Sequence, residues 1–489
     1  MFAVVNLGLK SIRLCVVDSD AHIRYKRSHP LHSVIFGEAV EQDGEEWWRL
    51  VIRLFQEAEA AGVATEKIRA ITVSASSSCL VCVGERGELL RPIIMVNDRR
   101  HRHFEASGTP VMIQRMRWLA HTEPEIHQRT AWFLSPNDFL IYRMTGVAAT
   151  DPLNAEKFGY DPRCSQYVGC GADELRRLPG VLAVGSAVAE LHEDVASLFR
   201  VGRGTKVFVS SYDAVVSVIG SGAVEVGDLC DVSGTVTSIR MVSTATSQHP
   251  TGAIFTQSAP VPGLTYVGGS TNLGGGLIEW LKTTFYPPHE HVYEHIDADV
   301  RDLPPDQCPL IFLPYLLGER APLWDSDARG VFFGLERSHG RRHFARATLE
   351  GAALMGRSLI EEIVAVHGTR PRRIRLSGGL SRLGAASQIK ADVYGQPLEV
   401  VAEFESTVMG SFLLGFQSEL VKRRPLTELF HTTVRSREIV LPDSGSAALY
   451  ERKYEIFREL YQTLKPQFAK LRTLPREELK SEDGMLENL

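Results

Sequence analysis

The chain has few cysteines, and the seven present, at positions 15, 79, 82, 164, 170, 230 and 308, form an odd and scattered set. A disulfide framework is therefore not expected, and a reducing compartment fits better. No long Lys/Arg block stands out against a formal net charge of −5, so neither nucleic acid nor a membrane surface is an expected partner. No apolar run reaches the ~20 residues that span a bilayer, and no cationic segment with an apolar core precedes the first strand, which predicts a cytoplasmic protein. The G-x-x-x-x-G-K-[ST] pattern is missing too, which excludes a Walker-type phosphate site.

What is present suits a large globular protein. The 489 residues are 44% hydrophobic and 23% charged, a length that suggests about three domain units and cores large enough for two lobes with a cleft between them. Residues 2–28 alternate as a meander of short strands, with Gly8 at the first turn. Residues 44–62, "GEEWWRLVIRLFQEAEAAG", carry apolar residues at helical spacing and end in Gly62. Strand, turn and strand follow through "IRAITVSASSSCLVCVGERGELLRPIIMVNDRR". Cys79 and Cys82 fall in that alternating run, so they face opposite sides of a sheet and read as structural thiols; a redox pair needs a helix N-terminus to lower the thiol pKa.

Residues 228–243, "DLCDVSGTVTSIRMVS", repeat the opening pattern of apolar strand, Gly-containing turn and apolar strand. A repeat of that kind predicts two lobes of the same topology. The expected division is 1–225, 226–440 and a helical extension with tail at 441–489; beyond about 474 the tail is charged and expected to fray. Three strand-turn junctions, at 6–11, 233–238 and 377–381, combine glycine with small hydroxyl residues. Such turns either expose backbone N–H groups to phosphate oxygens or serve chain reversal alone. Asp213, between the strand "KVFV" and an apolar helix, reads on its own as a solvated helix N-cap or as a carboxylate available for proton transfer.

The stretch "GVFFGLERSHGRRHFARATLE", 330–350, resembles the second signature of the FGGY family of carbohydrate kinases. Gly330, Phe332, Gly334, Leu335, His343, Phe344, Ala347, Thr348, Leu349 and Glu350 fall at the signature's spacing. "PIIMVNDRR", "FLSPNDFLIYRMTGVAATDPLNA" and "SGGLSRLGAASQIKADVYGQPLEV" look like further landmarks of the family, in family order from residue 2 to about 430. The resemblance implies an α/β fold of two ribonuclease-H-like, actin-like ATPase lobes around a central cleft. It implies a small sugar or sugar acid bound mainly by the first lobe, ATP and Mg²⁺ mainly by the second, and closure of the lobes on substrate. Homodimers are common in the family, which leaves a homodimer open here.

Residue by residue, the resemblance implies Asp213 as the base that accepts the sugar hydroxyl's proton. It implies Gly234 and Thr235 at the β- and γ-phosphates, and Gly378 and Gly379 near the adenosine and α-phosphate. Gly8, Lys10 and Ser11 belong to the other phosphate turn, where Lys10 either supplies a cation or points to solvent. Asp98 corresponds to an acidic residue that binds substrate hydroxyls, the alternative being a surface ion pair with Arg99 or Arg100. Arg320 and Asp325 fall in the long loop that lines the family's cleft.

The chain also departs from the pattern. Asn6 and Leu9 replace an Asp that helps hold the Mg²⁺ water shell and a Thr at the γ-phosphate, so metal binding through Asn6 and Asp213 is expected to be weaker. Ser76 and Ser78 stand where xylulose kinases carry a longer amide and imidazole, and Val96 replaces a family Trp. The expectation is an ATP-dependent kinase of a xylulose-like or, second, a gluconate-like acceptor. The alternative is a catalytically weakened relative that binds nucleotide or sugar as a sensor.

Overall fold

The computed structural model describes residues 1–101, 109–402, 405–420 and 426–472; the charged tail lies outside them. The chain forms two compact units, one of Met1–Gly220 with the described residues of Ser406–Thr433, the other of Ser221–Glu405 with the described residues from Val434 on.

The first unit is built on a six-stranded sheet, and its strands are β1 (Phe2–Leu7), β2 (Ser11–Val17), β3 (Ile23–Pro30), β4 (Ala70–Ala75), β5 (Ala187–Glu190) and β6 (Lys206–Val209). Their order across the sheet is β5-β6-β4-β1-β2-β3. β1 and β2 form an antiparallel hairpin, and β1, β4 and β6 run parallel. β4 is buried throughout, as expected for a parallel strand covered on both faces. The helix Gly44–Ala60 starts where the Asp43 side chain accepts from Glu45 N, a cap that satisfies an otherwise free amide. It buries Trp47, Trp48, Val51, Leu54, Phe55 and Ala58, a single stripe at helical spacing. The helix Ser406–Gly415 belongs to this unit because Gly410 meets the helix Asp213–Gly220 backbone to backbone. A Cβ on Gly410 would lie 1.7 Å from Val216 O, and one on Gly220 would lie 1.7 Å from Ser406 O.

The second unit repeats that plan with β7 (Asp228–Ser233), β8 (Thr237–Ser243), β9 (Phe255–Ser258), β10 (Thr265–Ser270), β11 (Arg373–Ser377), β12 (Leu398–Val401) and β13 (Ser436–Val440). The order is β9-β10-β8-β7-β11-β12-β13. The hairpin β7–β8 stands in the place of β1–β2, β11 and β12 run parallel beside β7 as β4 and β6 do beside β1, and an antiparallel strand closes the edge. The helix Arg341–His367 covers one face and stops at Gly368, whose φ is 89°. The C-terminal helix Ala447–Leu471 adds Tyr450, Tyr454, Phe457, Leu460, Tyr461 and Phe468 to the same core.

All seven cysteines are free. Cys79 and Cys82 pack into different apolar clusters, and burial pushes both thiols up to about 12. Among the described residues no helix is long and apolar enough to cross a membrane.

Candidate active site

In the first unit, Asp213 opens the helix Asp213–Gly220 directly after β6. It is half-buried. Ser76 Oγ donates to Asp213 Oδ2 at 2.9 Å, and the backbone N–H of Ala214 donates to Oδ1 at 2.6 Å. One residue upstream of Tyr212, Ser211 Oγ donates to the buried carboxylate of Asp151 at 2.9 Å. Asp151 also accepts from the backbone of Leu153 and Asn154. The strand-to-helix turn that carries Asp213 is thus pinned from behind, and burial raises the Asp151 pKa.

Ser78 has φ 61°, a left-handed conformation rare outside glycine that persists only when neighbours impose it. The neighbour is Arg115, 1% exposed, which donates to Ser78 O and to Val96 O at 3.0 Å and Asp98 O at 3.5 Å. One guanidinium therefore ties the 76–78 turn to the 96–98 segment. Asp98 is buried rather than at the surface. Burial alone would raise its pKa, but Arg100, at 2.7 Å from Oδ2, and the backbone N–H of Val40 and of Arg100 hold it below the usual carboxylate range. Arg100 Nε also donates to both oxygens, so the ion pair and the backbone fill the carboxylate's acceptor positions and leave none for a ligand hydroxyl.

The first turn is held by Gly8 N donating to Ser11 O at 2.9 Å, with Leu9 O accepting from Gln42 and Lys10 O from Leu31 N. The side chains of Leu9 and Lys10 are exposed. Asn6 Nδ2 donates to Ser74 Oγ on the parallel neighbour β4 at 3.2 Å. That leaves the amide oxygen as the acceptor end of Asn6.

In the second unit the glycine-rich segments meet. The β7–β8 turn is fixed through its carbonyls: Gly275 N donates to Gly234 O at 2.7 Å, and Gly274 N and Gly276 N donate to Thr235 O. Gly378, at φ 91°, lies so close to β7 that a Cβ there would fall 2.5 Å from Ser233 O, so only glycine fits the position. By contrast a Cβ on Gly379 would meet nothing within 4 Å, and one on Gly234 only Val236 O at 4.0 Å. The structure therefore brings the turns at 234–235 and 378–379 together, with Gly234 and Gly379 each facing open space.

Sequence reasoning missed what lies beneath that turn. Lys390 Nζ is 2.5 Å from Asp231 Oδ2 and donates to Ser233 Oγ at 2.9 Å; Tyr394 OH donates to Asp231 Oδ2 at 2.9 Å. All four residues are buried. The helix Gly384–Tyr394 also carries Ser387, Gln388 and Asp392, so Lys390 does not stand out in its sequence as a buried cation. The long loop divides: Asp325 accepts from Asp327 N, Ala328 N and Tyr461 OH, a loop-fixing role, whereas Arg320 donates to Thr271 O at 2.7 Å.

Comparison with known proteins identifies the family and the fold. Residues 1–107 match the model of the N-terminal domain, and residues 232–418 that of the C-terminal domain, of the FGGY family of carbohydrate kinases. A gluconokinase from Bacillus subtilis (strain 168) is 23% identical over 96% of this chain and 96% of its own length. A xylulose kinase from the same organism is 25% identical over 94% of this chain and 96% of its own. The crystal structure of a ligand-bound xylulose kinase from Lactobacillus acidophilus superposes with a TM-score of 0.84 at 21% identity, covering 96% of this chain and 100% of that one. The fold is thus that of sugar kinases with two actin-like ATPase lobes, and the chain belongs to the FGGY family of carbohydrate kinases.

Proposed function

We propose that the chain transfers the γ-phosphoryl group of ATP to a hydroxyl of a xylulose-like ketose or a gluconate-like sugar acid, with Asp213 as general base. The observation that carries the reading is the Ser76–Asp213 hydrogen bond of 2.9 Å, which sets a carboxylate at the head of a helix among the residues expected to bind the acceptor. A sugar hydroxyl is a poor nucleophile, and a carboxylate within hydrogen-bond reach removes its proton as the oxygen–phosphorus bond forms and ADP departs. Ser76 and Ser78 bind and orient the acceptor; Asp98, also expected to do so, is taken up by Arg100 and by the backbone N–H of Val40. The amides of Gly234, Thr235 and Gly379 hold phosphate oxygens, which suits the open space facing these positions. Gly8, Lys10 and Ser11 form the weaker phosphate turn. Mg²⁺ takes hard oxygen donors and retains several waters, so the Asn6 amide oxygen and Asp213 suit water-mediated contact, with the nucleotide phosphates supplying most of the negative charge. When bound, the ion neutralises charge on the transferring phosphoryl group.

A weakened, nucleotide-binding role is the second reading, favoured by the Asn6 amide bonded to Ser74 and the apolar Leu9 in the first turn. A coupled ADP-release assay across pentuloses, sugar acids and polyols, with wild type and Asp213→Ala, separates the two. The kinase reading expects at least one acceptor to raise ADP release in wild type alone. No stimulation by any acceptor, with nucleotide binding retained in calorimetry, leaves the second reading standing.

A further inference from the structure

Asp231 stands where its strand asks for an apolar side chain. It shares a face of β7 with Leu229 and is paired across the hairpin with Ile239, and both of those enter the core of the second unit. The carboxylate is buried, and its oxygens accept three hydrogen bonds: Oδ2 from Lys390 Nζ at 2.5 Å and from Tyr394 OH at 2.9 Å, Oδ1 from Ser233 Oγ at 2.8 Å. Burial and the Asp231 charge raise the Tyr394 pKa well above the usual phenol range, so its hydroxyl stays a donor. Room for that hydroxyl is made by Gly356 of the helix Arg341–His367, where a Cβ would fall 2.2 Å from the phenol oxygen.

Ser233 gives its proton to Asp231, so it accepts from Lys390 Nζ at 2.9 Å and from Thr237 Oγ1 at 3.0 Å. Thr237 carries the network across the hairpin: its N–H donates to Thr271 Oγ1 at 3.3 Å, and that hydroxyl donates to Leu273 O at 2.8 Å. Leu273 precedes the glycines whose amides hold Gly234 O and Thr235 O. At the other end, Lys390 belongs to the helix Gly384–Tyr394, which follows the turn at 378–379 within a few residues. One buried ammonium thus ties the strand that enters the first turn to the helix that leaves the second. Stability alone does not call for a charge pair here, because apolar residues of similar volume in place of a buried ion pair are often neutral or stabilising. Apolar residues cannot, however, donate to Ser233, the last residue of β7. Ser233 O is also the atom against which Gly378 packs, so fixing Ser233 fixes the spacing of the two turns.

We propose that Lys390, Asp231 and Ser233 are positioning residues for the nucleotide: a buried brace that holds the turns at 234–235 and 378–379 at the spacing the phosphates of ATP require, and that sets nucleotide affinity without touching the acceptor. This rests on the assignment of both turns to the nucleotide above and adds the residues that support them. Backbone donors serve a phosphate only while the surrounding shell keeps them in place, and a site whose support loosens by about 1 Å loses most of its value.

The test is calorimetric titration of the full chain with a non-hydrolysable ATP analogue and Mg²⁺, and separately with D-gluconate and D-xylulose, for wild type, Ser233→Ala, Lys390→Met and the double variant Asp231→Leu with Lys390→Met, with a melting temperature recorded for each. The brace predicts that all three variants bind the analogue at least about 10-fold more weakly, the scale on which losing a supporting partner weakens a site, while affinity for whichever sugar the wild type binds is unchanged. Lys390→Met melts lower than wild type. The double variant, from which both charges are gone, recovers the melting temperature but not the nucleotide affinity, a separation that a merely structural pair would not produce. Analogue affinity that returns with the melting temperature in the double variant overturns the proposal, as does equal affinity in all four proteins or a parallel loss of nucleotide and sugar binding. Should Lys390→Met fail to fold, Ser233→Ala and the double variant decide it by the same criteria. A wild type that does not bind the analogue sinks the nucleotide reading and the brace with it, whereas wild-type binding that every variant shares sinks the brace alone.

Discussion

Arg115 joins two stretches that no local pattern connects. It is buried, bonds to three backbone carbonyls, and holds Ser78 in a left-handed conformation. A shift of about 1 Å in a positioned acceptor costs on the order of 100-fold in rate. Arg115→Leu is therefore expected to raise the acceptor KM and lower kcat/KM by roughly that factor, with nucleotide KM unchanged and partial recovery in Arg115→Lys. Steady-state kinetics with each substrate varied in turn checks this. Asn6→Asp with Leu9→Thr is expected to strengthen Mg²⁺ dependence and raise turnover; identical Mg²⁺ titrations would mean that this turn does not serve the phosphates. The residues quoted for the family resemblance were readable because they repeat a known spacing. Arg115 and Lys390 were not, since a lone cation in a sequence looks the same whether it ends in water or in the interior.

At the scale of elements, the two hairpins were legible from alternation and glycine: β1–β2 and β7–β8 lie within the stretches that the pattern marks. The pairing of Ser406–Gly415 with Asp213–Gly220 was not, because it depends on two glycines almost 200 residues apart whose contact has no sequence signature. The Lys390–Asp231 pair stabilises the strand that ends in the 234–235 turn. Lys390→Met leaves Asp231 buried with a reduced set of partners, which is expected to cost about 3–5 kcal/mol, read as a lowered urea midpoint. Asp138 caps the helix Pro136–Thr145 by accepting from Ser135 N, and burial, with the neighbouring Asp151 charge, pushes its pKa up to about 8. Between about pH 4 and 8 the unfolded chain ionises this group while the folded chain keeps its proton, so folded stability falls as pH rises through that window. Asp138→Asn is expected to flatten the melting temperature across the same range in scanning calorimetry; an unchanged slope would show that Asp138 ionises normally.

Over the whole molecule, a sheet plan used twice accounts for where the chemistry falls. Each hairpin turn bears a glycine, and each hairpin is followed in its unit by parallel strands whose ends carry the remaining candidates: Ser76 after β4, Asp213 after β6, Gly378 and Gly379 after β11. Ligand-binding residues at the carboxyl ends of parallel strands are the general pattern of such sheets. The duplication was visible in sequence only at its hairpins, because the parallel strands are short apolar runs that look alike in any α/β protein. The central claim is that Asp213 activates an acceptor hydroxyl toward ATP. The most direct measurement is phosphorus NMR of full-length protein incubated with Mg-ATP and D-gluconate or D-xylulose, comparing wild type with Asp213→Asn. The account predicts a sugar phosphomonoester growing in step with ADP in wild type and slowed by about 100-fold or more in the variant. ADP and inorganic phosphate without a phosphomonoester, or an equal rate in Asp213→Asn, would contradict it.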